Sequence, residues 1–235
     1  MLAEHGWQLL VPDRPGFGES PTRGPDDMEA DSIWLATSLG DGAHLVGHSF
    51  GGAVALLAAA RRPSAVRSLI LIEPALIALF PGSKVMRRNQ PAREDFLSMG
   101  EAWLKTRTPA EHALTLARDL GVVSRTVPGA IKGGEEPDAE TANALGCALL
   151  QARLASGDEM RKAAKIVSAA RIPVLFISGG WKPTFEAVAE IGAEVTGGRH
   201  VIIPAPNHFV QLVAPDAFNE TIVKFMKAAD AKPLG

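Results

Sequence analysis

The chain has 235 residues, of which 46% are hydrophobic and 21% charged, the balance of a globular protein with one sizeable core; a disordered chain is excluded. Lys and Arg number 24 against 26 Asp and Glu, and a net charge of -2 leaves no basic footprint for nucleic acid or anionic lipid, so a small neutral or apolar molecule is the expected partner. The single cysteine, Cys147, excludes an intramolecular disulfide and a cysteine metal cluster, and fits a reducing compartment.

The start, Met1 to Val11, has no basic region and too short an apolar run for a secretion signal, and no uncharged stretch reaches membrane-span length. A cytoplasmic protein is expected. Trp7 to Val11 reads as a short apolar strand, followed by a turn dense in Pro and Gly from Pro12 to Pro21. Asp26 to Leu39 reads as an amphipathic helix, and Ala43 to Val46 as a second strand.

Gly47-His48-Ser49-Phe50-Gly51 then matches G-x-S-x-G, the strained strand-to-helix turn that lifts a serine hydroxyl clear of a sheet for nucleophilic attack. At ordinary Gly and Ser frequencies the pattern arises by chance in about one chain in ten, so its flanks decide. They agree: an apolar run precedes it, and the helix formers Ala53 to Ala60 follow, ending at Arg61, Arg62 and Pro63. So sharp a turn predicts that a β-carbon at Gly47 or Gly51 would collide, with Gly52 extending the clearance. A glycine-rich phosphate loop is the alternative, but neither G-x-x-x-x-G-K nor G-x-G-x-x-G occurs at this turn.

Ser68 to Ile72 predicts another strand, ending at Glu73-Pro74 because the residue before proline resists regular structure. Between Pro74 and Ala170 helical patterns take over, including a capping box at Thr108 to Glu111 that opens a helix running to Gly121. Ala75 to Phe80 leads into this insertion, Gly129 to Gly134 reads as a mobile loop within it, and Lys84, Arg87 and Arg88 as solvated surface. Pro173 to Ser178 is a fourth strand closed by Gly179-Gly180, Val201 to Ile203 a fifth, and Ala214 to Ala229 a closing helix. Strands alternating with helices predict an α/β fold, a mostly parallel sheet with helices on both faces and chemistry at the carboxyl ends of its strands. Ser49, Glu73 and His208 all lie at such ends.

With elbow, helical insertion and late histidine in this order, the chain resembles the α/β-hydrolase superfamily, specifically its small cap-bearing serine hydrolases. Asp13-Arg14-Pro15-Gly16-Phe17-Gly18-Glu19-Ser20 is similar to the family's D-x-x-G-x-G-x-S turn, Gly47 to Gly52 to its elbow, and Pro206-Asn207-His208-Phe209 to its histidine loop. The resemblance implies a core of 1–74 and 171–235 with a helical cap of 75–170. It also implies Ser49 as nucleophile, His208 as general base and then general acid, the backbone N–H of Phe50 as an oxyanion donor, and neither cofactor nor metal. Family members usually carry the acid just after the strand equivalent to Pro173–Ser178, where this chain reads Gly179-Gly180-Trp181-Lys182-Pro183. Some place it instead after the strand following the elbow, which implies Glu73, with Glu186 in reserve.

The family's sheet opens with three strands that have no counterpart here, so an N-terminally incomplete fold is expected, either a fragment or a natural truncation. The loss of one oxyanion donor is expected to impair activity. The implied function is a serine hydrolase acting on a small, largely apolar ester-like substrate through an acyl-enzyme. The alternatives are a non-catalytic or degenerate member that keeps the fold, and a cofactor-free perhydrolase or C–C bond hydrolase with the same triad.

Overall fold

The structure is a computed structural model that describes residues 2–122 and 137–231. The loop expected over Gly129 to Gly134 lies outside the described residues. Among them are four parallel strands, β1 (Ala43–His48), β2 (Val66–Ile72), β3 (Val174–Ser178) and β4 (Arg199–Ile202), in the spatial order β1-β2-β3-β4. The helices are α1 (Met28–Thr37), α2 (Ser49–Arg61), α3 (Lys84–Arg88), α4 (Gln90–Lys105), α5 (Pro109–Asp119), α6 (Ala139–Gln151), α7 (Gly157–Ala169), α8 (Pro183–Thr196), α9 (Val210–Val213) and α10 (Pro215–Asp230).

Alternation along the strands splits the core into two layers, because successive side chains of a strand point to opposite faces. Leu69, Leu71 and Phe176 face a cluster formed with Val54, Leu56 and Leu57 of α2, Ala164 and Val167 of α7, and Val188 of α8. Ile70, Ile72, Leu175 and Ile177 face Phe218, Ile222, Phe225 and Met226 of α10. Both faces are therefore covered, as near-continuous apolar strands of a parallel sheet require.

Register sets the position of everything functional. His48 pairs with Ile72, Ile72 with Ile177, and Ser178 with Ile202, so the four strands finish level with one another. Ser49, Glu73, Gly179 and the Ile203 to His208 loop consequently issue from one end of the sheet.

Trp7 to Val11, expected as a strand, has no regular secondary structure, and Leu9, Leu10 and Val11 are 52%, 71% and 88% exposed. Strand composition is insufficient without a neighbouring backbone to pair with, and among the described residues β1 pairs only on its β2 side. Trp7 packs edge-on against the His44 ring and donates its indole N–H to Asp230 instead. The capping box is present, with Thr108 accepting from the Glu111 N–H and the Glu111 side chain accepting from the Thr108 N–H. Arg88 of the surface cluster pairs with Glu190 and Glu194 of α8. No helix among the described residues is long and apolar enough to cross a membrane.

Candidate active site

The elbow is built by close backbone approach. A β-carbon on Gly47 would lie 2.5 Å from the Gly51 carbonyl oxygen and 2.8 Å from the Gly52 α-carbon, and one on Gly52 would lie 2.8 Å from the Pro74 β-carbon. Gly51 has open space around it, so the collision expected there does not occur; the tight contacts belong to Gly47 and Gly52. Between them Ser49 takes a φ of +52°, a left-handed conformation that a residue with a β-carbon adopts only when its surroundings enforce it. The Ser49 carbonyl accepts from the Ala75 N–H at 2.9 Å, fastening the elbow to the chain leaving β2.

Ser49 opens α2, and Phe50 follows it in the first turn, where a backbone N–H has no partner within its own helix. The Phe50 ring is held by Arg14, whose guanidinium lies 4.3 Å from the centroids of both Phe17 and Phe50. Arg14 is itself fixed by Asp31 at 2.7 Å and Asp26 at 3.2 Å. The turn from Asp13 to Ser20 thus packs directly against the elbow.

Glu73 follows β2 with a φ of +37° and is completely buried. Its Oε2 lies 2.8 Å from Nδ1 of His208, which is also buried. Because a carboxylate only accepts, this contact fixes the imidazole tautomer with the proton on Nδ1 and the lone pair on Nε2. Nε2 is buried without a hydrogen-bond partner among the described residues. An imidazole so held can take a proton at Nε2 from a hydroxyl brought to it and return that proton later.

Three contacts shape the histidine loop. Asn207 accepts from the Phe209 N–H at 2.9 Å, the His208 N–H donates to the Leu120 carbonyl at 3.1 Å, and His48 Nε2–H donates to the His208 carbonyl at 2.9 Å. Desolvation, and then the neighbouring His208, depress His48 from 6.5 to about 4, so it is a neutral donor here. The end of α5, the elbow and the histidine loop therefore meet around one imidazole.

Glu186 is directed elsewhere. Its Oε2 lies 2.7 Å from the Ser178 hydroxyl and 3.6 Å from His200 Nε2, and its Oε1 accepts from the Gly180 N–H at 2.8 Å. The loop after β3, which holds no carboxylate, still reaches the site: the Gly179 N–H and the Trp181 indole N–H both donate to Glu73 Oε1 at 2.8 Å. Lys182 points away to Asp95 and Asp119. Among the described residues no cluster of His, Cys, Asp or Glu could hold a metal ion.

Residues 1–221 match the family model described as "Alpha/beta hydrolase family". The chain belongs to the alpha/beta hydrolase family. This hydrolase-family chain is 42% identical over 108 residues to lipase LipV of Mycobacterium tuberculosis, a match covering 43% of the chain and 41% of that lipase. It is 43% identical over 65 residues to a pimeloyl-acyl-carrier-protein methyl ester esterase of Neisseria meningitidis serogroup C, covering 28% of the chain and 25% of that esterase. These matches span well under half the length of each relative. A solved membrane phospholipase A, described as a bacterial virulence factor, is similar in fold, with a TM-score of 0.61 at 22% identity over 94% of this chain and 70% of that one.

Proposed function

We propose that the protein is a serine esterase in which Ser49 attacks the carbonyl of a small, largely apolar ester. His208 Nε2 takes the Ser49 proton, the alcohol departs with that proton, and a water activated by the same nitrogen releases the acid from the acyl-enzyme. Glu73 holds the imidazole in the required tautomer and stabilises the imidazolium, while the Phe50 N–H donates to the developing oxyanion. The observation that carries this reading is the buried contact of Glu73 with His208 Nδ1, which leaves the opposite nitrogen free at the end of the sheet where the strained Ser49 turn stands. The esterase and lipase relatives support the same chemistry.

Helices α4 to α6 are the part of 75–170 that would cover the strand ends. Helix α7 and the side chains of Leu76, Leu79 and Phe80, in the stretch that leads into the insertion, belong to the sheet's own core. The Leu120 carbonyl on the His208 N–H links that cover to the site.

The flank of β1 that has no strand partner among the described residues favours one second reading, a non-catalytic protein that keeps the fold. Rapid mixing with p-nitrophenyl acetate and butyrate separates the two. The esterase reading predicts a burst of nitrophenol equal to the protein concentration, followed by slower turnover, as acyl-enzyme accumulates. No release above the buffer rate would favour the non-catalytic protein.

A further inference from the structure

A buried carboxylate needs donors for both oxygens, because burial without them strongly disfavours its charge. In Glu73 the two oxygens are divided: Oε2 serves His208, and Oε1 accepts from the Gly179 N–H and the Trp181 indole, each at 2.8 Å. Trp181 stands in the loop after β3, far in sequence from Glu73, and among the described residues its side chain is the only one that donates to that carboxylate apart from the imidazole.

The geometry points to Trp181 as a positioning residue for this hydrolase, one that anchors Glu73 through Oε1 and so aims Oε2 at His208. The inference rests on the roles given to Glu73 and His208 above. Three features show that the indole is held for this purpose. Its ring stacks on Phe185 at 5.6 Å and 29°, and the Phe185 ring lies 5.0 Å from that of His208, so the donor is fixed to the same wall as the imidazole. A β-carbon on Gly179 would lie 2.6 Å from Trp181 Cδ1 and 3.2 Å from Glu73 Oε1, so a residue without a side chain is needed for both donors to converge on one oxygen. Glu186 accepts from the Gly180 N–H and meets the Ser178 hydroxyl, which braces the loop on its other side.

The indole N–H and the Gly179 N–H together make the carboxylate's second point of attachment. With one oxygen anchored, rotation about the terminal bond of Glu73 would break the indole bond as well as the imidazole bond, so the imidazole keeps its partner through the catalytic cycle. Losing the donor leaves the Gly179 N–H as the remaining anchor on Oε1 and loosens the restraint on that rotation.

Two measurements test this. The protein has four tryptophans, so its proton–nitrogen correlation spectrum carries four indole signals, and Trp181→Phe identifies one of them. In Glu73→Gln that signal should move upfield, because a neutral amide oxygen is a weaker acceptor than a carboxylate. The indole of Trp103, which donates to Asp119, should stay in place as a control. In ester hydrolysis, Trp181→Phe, which keeps the stack on Phe185, should lower kcat by about tenfold to a hundredfold, the range that loss of a hydrogen bond to a charged group implies, with KM nearly unchanged. Gly179→Ala, which retains the indole but displaces its ring edge, should lower kcat in the same way. Should Trp181→Phe fail to fold, the signal is assigned by elimination with Phe variants of Trp7, Trp34 and Trp103. A Trp181 indole signal unmoved in Glu73→Gln, or a folded Trp181→Phe with full kcat, overturns the inference. A protein that hydrolyses no ester and yet shows the Glu73-dependent indole shift would refute the esterase reading while leaving the anchoring contact in place.

Discussion

Glu73 and His208 are separated by 135 positions in the chain and by 2.8 Å between Oε2 and Nδ1 in the fold, at a depth where neither side chain meets solvent. The level ends of β2 and β4 bring them together. In the esterase account this contact decides which imidazole nitrogen carries the lone pair.

Replacing Glu73 with Gln should therefore be far more damaging than its size suggests. The amide can place an N–H against Nδ1 and favour the wrong tautomer, so kcat should drop on the order of ten-thousandfold. Glu186→Gln should keep most of the turnover, because Glu186 contacts Ser178, Gly180 and His200 and not His208. Ester hydrolysis by the two variants decides between the carboxylates, and a larger loss in Glu186→Gln would reverse the assignment.

The elbow glycines should differ sharply from one another. Gly47→Ala puts a methyl group 2.5 Å from a backbone oxygen that cannot yield, and should cost about 1 to 3 kcal/mol as well as displacing Ser49. Gly51→Ala meets nothing within 4 Å and lies within α2, so it should be neutral or stabilising by up to about 1 kcal/mol. Chemical denaturation of both variants checks the contrast; equal destabilisation would contradict this geometry of the turn.

His48 should make the fold acid-sensitive. Burial and the neighbouring His208 hold it at about 4 in the folded chain against 6.5 for a free imidazole, so the unfolded chain binds a proton that the folded chain refuses within that window. Stability should thus be lost as pH falls from about 6.5 towards 4, by on the order of 3 kcal/mol from this group. Thermal midpoints across that range, compared with His48→Gln, measure the contribution. A variant that loses stability as steeply as the natural protein would assign the acid response to other groups.

Much of this site was legible in the sequence because its signals are local. The glycines around Ser49, the apolar run before them and the helix formers after them describe a strand, turn and helix in one continuous stretch, Ala43 to Arg61, and Pro74 marks where β2 must stop. The failures fall where the cause is remote. Trp7 to Val11 has the composition of a strand, but pairing requires a neighbour that no local pattern supplies. Helix α8 gave no clear start signal, because Lys182 makes no side-chain cap and the first turn relies on Pro183. Trp181 read only as the residue standing where an acid is usual, since its indole meets Glu73 across 108 positions of chain.

An activated nucleophile at Ser49 can be trapped covalently. The protein is incubated with a fluorophosphonate, digested, and the modified peptide located by mass spectrometry. The account predicts one equivalent of phosphonate on Ser49, none on Ser49→Ala, and labelling in Glu73→Gln slowed in proportion to its loss of turnover. Incorporation at another serine, or none at all in folded protein, would contradict it.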